Sequence, residues 1–283
     1  MITKSNIERL LTALHFQKDM IGSVWRRTFF DNVTLAVDTA AESFLYKNAG
    51  ITVTGATTAN FSQNENFVVF ECVCRLLEKG YKPKDIELEP AWRLGHTDKS
   101  GRADIWIRTK NKQGEVDSLL IIECKTAGRE FDGAWRDTLQ DGAQLFSYFQ
   151  QEGTTKFLCL YTSDLDDDKI ASEYHLINVQ DNDDFLKTLK KPKTFSAAST
   201  AKERFAVWHD TYKCEFAKRG LFEEDIAPYK PGKNKYTTDD LREIDHASMQ
   251  KKYHEFATIL RKHNVSGHEN AFDKLVNLFL VLN

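Results

Sequence analysis

Ile121-Ile122-Glu123-Cys124-Lys125 ends a short apolar run, Leu119 to Ile122, with a carboxylate and an ammonium two residues apart. In a strand, side chains alternate between faces, so Glu123 and Lys125 share one face while Ile122 and Cys124 take the other. The run is apolar on both faces, which predicts an interior strand covered on both sides. Charges at the end of such a strand are costly unless they are paired or bind a metal. Upstream, Gly101-Arg102-Ala103-Asp104-Ile105-Trp106-Ile107 reads as a second strand with an acid at its start. Lys110 to Glu115, with Gly114, reads as the hairpin loop between the two. Pairing these strands brings Asp104 near Glu123. Two carboxylates and a lysine on one sheet face suit a hard divalent cation and an activated water.

These residues resemble the PD-(D/E)xK nuclease superfamily, with Asp104 as its aspartate and Glu123-Cys124-Lys125 as its E-x-K. Gln144-Leu145-Phe146-Ser147-Tyr148 is similar to the Q-x-x-x-Y element that follows the E-x-K in nuclease domains of type I restriction motor subunits. A glutamate on a helix before the first strand belongs to the same pattern, and Glu65 takes that place. The resemblance covers roughly Ser62 to Ser163. It implies an α/β fold of restriction-endonuclease type, a mixed sheet flanked by helices, followed here by a helical C-terminal segment. It implies Mg²⁺, or Mn²⁺ in its stead, held by Asp104 and Glu123 with Glu65 completing the set. Lys125 is then the catalytic lysine, with Gln144 and Tyr148 positioning the substrate backbone or bracing the lysine. The implied substrate is double-stranded DNA.

Composition neither supports nor opposes this. The 283 residues carry a net charge of −3 and 41% hydrophobic residues, so a basic footprint for nucleic acid must be local. Five cysteines without paired spacings make neither a zinc quartet nor a disulfide framework, and the simpler reading is a reduced cytoplasmic chain. No apolar run approaches the roughly 18–20 residues of a membrane span, so no membrane partner is expected.

Along the chain, residues 1–60 read as an N-terminal extension packing on the nuclease. Asn6 to Leu14 is an amphipathic helix, and Phe29 to Val37 with Glu42 to Tyr46 a hairpin. Ser62 opens a helix that stops at Gly80, with Ser62 and Glu65 placed for a capping box. Glu71, Arg75 and Glu78 fall on one stripe of it, read as a solvent face. Glu65 falls on another, toward the sheet, which favours Glu65 as the helix carboxylate, with Glu71 as its rival. Lys84 to Trp92 reads as an irregular or edge strand and His96 to Gly101 as a polar loop. Trp135 to Gln151 reads as one helix despite Gly142, with Gln144 and Tyr148 together on its core-facing seam. Lys156 to Thr162 and Glu173 to Val179 read as further strands. The nuclease core spans 61–182.

Residues 183–236 read as a connecting helix, Ala201 to Arg219, between the linkers Lys187 to Lys193 and Pro228 to Lys235. Residues 237–283 read as helical. Phe256 to Gly267 and Asn270 to Phe279 resemble the helical segment before the N6-adenine methyltransferase domain of fused restriction-modification proteins. That resemblance implies a methyltransferase and a specificity module, in cis or in trans, and a chain that is part of a longer enzyme. No Asn-Pro-Pro-aromatic motif and no phosphate-binding glycine loop is present. Asp164 to Asp168 lacks the glycine and final glutamate of an EF-hand and reads as an acidic turn. The alternative to a nuclease is a non-catalytic DNA-binding or assembly module whose acids are structural.

Overall fold

The computed structural model describes residues 1–91, 101–110, 113–179, 193–212, 215–232, 250, 251, 253, 254 and 258. Residues 1–234 form one compact unit and 235–283 a second. The elements of the first unit, in chain order, are α1 (Ile7–Ala13), β1 (Gln17–Lys18), β2 (Val24–Thr28), β3 (Thr34–Asp38), β4 (Ser43–Phe44) and β5 (Thr52–Val53). There follow α2 (Glu65–Lys79), β6 (Ile86–Leu88), β7 (Ile105–Lys110), β8 (Val116–Cys124), α3 (Arg129–Asp141), α4 (Ala143–Gln151), β9 (Phe157–Asp166), β10 (Lys169–Asn178) and α5 (Ala201–Tyr212). The fold is mixed α/β, as the sequence predicts, with two sheets flanked by helices.

The larger sheet runs β10-β9-β8-β7-β6-β5, with β8/β9 and β5/β6 parallel and its other neighbours antiparallel. The expected hairpin of β7 and β8 is present, and β8 is interior, with Ser118 to Cys124 all buried. Ile122 and Cys124 join a core with α2, whereas Ile121 joins a second core with α3, α4 and α5. Alternation along one strand therefore feeds two apolar layers, as a strand covered on both faces requires. The β6 strand lies between β7 and β5 rather than at an edge, because the short β5 covers it.

The N-terminal residues are part of the α2-side core. Beyond the expected pairing of β3 with β4, β1 and β2 extend a four-stranded antiparallel sheet, and Phe29 to Val33 is a turn, not a strand. Phe16, Phe44 and Tyr46 from this region close on Phe70 of α2, with Phe44 stacked on it at 4.5 Å between ring centroids.

Three of the expected helices differ in their bounds from the sequence reading. The helix expected over Trp135 to Gln151 starts earlier, at Arg129, and breaks at Gly142. Gly142 has φ +86°, and a Cβ there would stand 2.9 Å from Phe146, so an L residue would be strained and would push Phe146 aside where the chain turns between α3 and α4. The α2 helix stops at a left-handed Gly80 as expected, but Ser62 does not cap it; the Asn60 side chain accepts the Ser62 N–H at 2.9 Å instead. The α5 helix is described to Tyr212, and the chain is not helical from Glu215, short of Arg219. Asp167 and Asp168 both take positive φ and form the two-residue β9–β10 turn, whose Asp168 pairs with Arg9 at 2.6 Å. His96 to Ser100, most of Lys187 to Lys193, Thr237 to Asp240 and the apolar tail from Glu269 lie outside the described residues. Among the described residues no helix is long and apolar enough to cross a membrane.

Phe70 is fully buried at the join between α2 and the N-terminal sheet. Phe70→Ala should lower the stability of the 1–234 unit by about 3–5 kcal/mol, measured by urea unfolding; a loss below about 1 kcal/mol would mean that the N-terminal residues pack only loosely on α2.

Candidate active site

The β7–β8 ladder pairs Ile105 with Ile122, so its next step sets Asp104 against Glu123. An Asp104 carboxylate oxygen accepts the Cys124 N–H at 2.7 Å. Lys125 follows directly on the last residue of β8, and its own N–H donates to the Tyr161 carbonyl of the parallel neighbour at 2.9 Å. Its ammonium reaches Glu123 at 2.7 Å and Glu65 at 3.1 Å. Glu65 is the first residue of α2, so a helix packed on the other face of the sheet supplies a carboxylate across the sheet's end. Glu65, Asp104 and the Glu123/Lys125 pair, three separate points in the sequence, converge.

Burial decides the electrostatics. It pushes the Asp104 carboxyl well above its ordinary range, reinforced by the charges of Glu123 and Glu65 and opposed by the Cys124 N–H and Lys125. Burial raises Glu123 as well, against the attraction of Lys125. For Lys125, burial pulls the pKa down, but Glu123, Glu65 and Asp104 more than reverse this, and it is raised. The lysine therefore stays an ammonium at neutral pH. Three carboxyls share that single cation, so the cluster has an excess of negative charge whenever they ionise.

Glu123 shows where a further cation would fit. One of its carboxylate oxygens binds Lys125; the other is buried with no hydrogen bond of ordinary geometry, its nearest help being the Tyr148 hydroxyl, which lowers the Glu123 pKa against the larger effect of burial. Buried polar atoms are seldom left so. Among the described residues, no group of three or more His, Cys, Asp or Glu side chains is drawn together closely enough to enclose a metal. The reason is local: Lys125 bridges Glu65 and Glu123, and Asp104 is turned onto the Cys124 amide. The donor set is nevertheless all oxygen, with one buried Glu123 carboxylate oxygen not engaged by Lys125, which is the chemistry a hard divalent ion takes.

Glu65, Glu123 and Lys125 line an open cleft of about 750 Å³, walled by α3 and the start of α4 and bearing Arg129, Glu130 and Asp137. Asp104 is buried and does not line it. Gln144 and Tyr148 do not share a buried seam as expected. Gln144 is exposed on the cleft wall, whereas Tyr148 is buried and donates its hydroxyl to the Arg102 carbonyl at 3.0 Å. Tyr148 thus braces the segment that carries Asp104. Gln144 also faces an adjoining cleft of about 1140 Å³ between α4 and α5.

The sequence assigned Glu71 to a wet stripe, and the structure corrects this. Glu71 is 1% exposed and accepts the Tyr161 hydroxyl at 2.6 Å, while Arg75 donates to that hydroxyl at 3.1 Å. Of that stripe only Glu78 is exposed. The charged spacing marked a buried polar network in which Glu71 and Arg75 meet Tyr161 of β9 and Arg75 meets Ser172 of β10. Glu65, and not Glu71, is the helix carboxylate that meets Lys125. No protein-family model matches the chain, and no curated protein is matched by it.

Burial raises the Glu71 pKa, against the Tyr161 hydroxyl and Arg75. A raised carboxyl contributes stability in full below its unfolded-state pKa and loses it as pH climbs through the folded value. Glu71→Gln lacks that loss. Its melting temperature relative to the parent should become more positive between about pH 5 and about pH 8, read by calorimetry; a difference that stays flat would show that Glu71 ionises without penalty.

Proposed function

We propose that residues 1–234 form a divalent-metal-dependent nuclease that hydrolyses phosphodiesters of double-stranded DNA, the endonuclease part of a restriction-modification enzyme. The observation that carries this reading is that Glu65, Glu123 and Lys125 meet at the wall of an open cleft, with Asp104 buried next to Glu123. Asp104 and Glu123 would hold Mg²⁺, with Glu65 completing the set. When bound, the ion would supply Lewis-acid polarisation of the phosphate and a bound water of lowered pKa. Lys125, held charged by its neighbours, is suited to donate hydrogen bonds to the attacking water or to the phosphate as negative charge builds, and unsuited to act as a base. Tyr148 keeps the Arg102–Asp104 segment in place, and Gln144 is free to contact the sugar-phosphate backbone.

Acids outnumber bases on the cleft wall: Glu65, Glu123, Glu130 and Asp137 face Lys125 and Arg129. A bare polyanion is repelled there, which favours entry of DNA after the cation. A cleft of this kind reads phosphates and shape rather than base edges, so sequence choice would come from a specificity module, and host protection from a methyltransferase, as the resemblance of the C-terminal residues implies. One observation favours a second reading, a non-catalytic DNA-binding or assembly module: Lys125 by itself pairs two of the three acids, as a structural lysine would.

Two measurements separate these readings. Mg²⁺ or Mn²⁺ should raise the melting temperature of the parent by mass action, and Asp104→Asn with Glu123→Gln should abolish that rise without lowering the metal-free melting temperature. In plasmid nicking with Mg²⁺, Lys125→Ala should lose at least about a hundredfold in rate, in line with removal of one charge-stabilising donor, while DNA binding supported by Ca²⁺ stays within about a few-fold, since phosphate contacts elsewhere carry affinity. Undiminished nicking by Lys125→Ala sinks the nuclease assignment.

A further inference from the structure

Glu89 lies outside the cluster around Lys125, yet hydrogen bonds tie it to both the Asp104 and the Glu65 side of it. It follows β6, and its backbone N–H donates to the Asp104 carbonyl at 3.1 Å. Its side chain points the other way and is 5% exposed. That carboxylate accepts the N–H of Thr57 at 2.9 Å, the N–H of Thr58 at 3.4 Å and the Thr57 hydroxyl. The Thr57 carbonyl in turn accepts the side-chain amide of Asn66 at 2.7 Å, and the same amide donates to the Asn60 carbonyl at 2.9 Å. Asn66 is the neighbour of Glu65 in the first turn of α2. The path Asp104–Glu89–Thr57–Asn66 thus joins the segment carrying one acid to the helix start carrying another.

The local backbone is shaped around this carboxylate. Glu89 has φ +48°, a region that residues other than glycine seldom occupy and that persists when the surroundings impose it. A Cβ on Gly55 would overlap the Glu89 side chain, 2.7 Å from its Cβ and closer still to its carboxylate. A carboxylate so deeply buried needs such donors. Here the donors belong to the loop that leads into α2.

We infer that Glu89 is a positioning residue: its carboxylate clamps Thr57 and Thr58 and so sets Glu65 against Lys125, while its N–H holds the Asp104 segment in register. The inference rests on the reading of Glu65, Asp104 and Glu123 as the metal-holding acids, and concerns what keeps them together. Partners that orient ligands in this way typically change metal affinity by about 10–100-fold when removed.

The test uses the full chain with two readouts. The first, on metal-free protein, is competitive acetylation of Lys125 measured by mass spectrometry against Lys156. Glu89→Ala, and Gly55→Ala from the opposite side, should raise Lys125 labelling several-fold by loosening Glu65, and Glu89→Gln should restore it to within about twofold because an amide oxygen still accepts the loop N–H groups. The second is the Mn²⁺ concentration at half of the thermal shift, which should rise by about 10–100-fold in Glu89→Ala. If Glu89→Ala does not fold, Thr57→Val, which deletes only the hydroxyl donor, should shift both readouts the same way. Leu221→Ala, in the core beside Tyr174, should lower the melting temperature without moving Lys125 labelling. Unchanged labelling in Glu89→Ala, or an equal rise in Leu221→Ala, overturns the inference. A labelling shift in a protein whose parent ignores Mn²⁺ would remove the metal reading and leave the clamp standing.

Discussion

Carboxylates taken out of water must find a cation, and in this protein three of them are arranged about the Lys125 ammonium. Asp104 and Glu123 are buried, and Glu65 is about one quarter exposed. Solvent alone cannot hold such a group ionised, because the penalty for moving a charge into protein exceeds what one neighbour at a distance returns. Lys125 bonds directly to two of the acids, and the Cys124 amide takes the third. The arrangement is only partly balanced. Burial raises the Asp104 and Glu123 carboxyls first and the neighbouring acids add to it, more than Lys125 and the Cys124 amide offset.

The rest of the 1–234 unit holds that imbalance in place. The β8 strand is covered by one apolar layer with α2 and the N-terminal sheet, and by another with α3, α4 and α5. Its end cannot move toward water without disturbing both. The α2 helix is pinned along its length, by aromatic packing at Phe70 and by the Glu71–Tyr161–Arg75 network, so Glu65 at its start has a defined position. Tyr148, through the Arg102 carbonyl, and Glu89, through its N–H, fix the segment around Asp104 from two sides. Each contact is an ordinary hydrogen bond; together they hold like charges nearer than they would settle unaided.

Glu65 and Glu71 show how far helical periodicity can be trusted. The spacing of Glu71, Arg75 and Glu78 describes a polar stripe correctly, and Glu65 does lie on a different one. What a stripe faces, however, depends on every element packed around the helix. Here β9 and β10 bring Tyr161 and Ser172 to the stripe of Glu71, so that its charge is met by protein donors rather than water. The hydroxyl on Tyr161 was the sequence signal for this, but no local rule connects residue 161 to residue 71.

The sequence by itself determined the β7–β8 hairpin, the interior character of β8, the shared face of Glu123 and Lys125, the end of α2 at Gly80 and the mixed α/β class. These follow from period-two and 3.6-residue patterns and from turn residues, all of which act over a few positions. The tertiary structure alone decided how the acids meet. Pairing jumps from Arg108–Ser118 to Ile107–Leu120, leaving Leu119 unpaired in a bulge. Continued from the loop without that bulge, the register would set Asp104 against Ile122 instead of Glu123. A one-residue slip of this kind leaves no mark in a run that is apolar on both faces, because either register buries the same side chains. The clamp of Glu89 on Thr57, the burial of Glu71 and the separation of Gln144 from Tyr148 were hidden for the same reason: each is a contact between elements, fixed by packing and invisible to spacing along the chain.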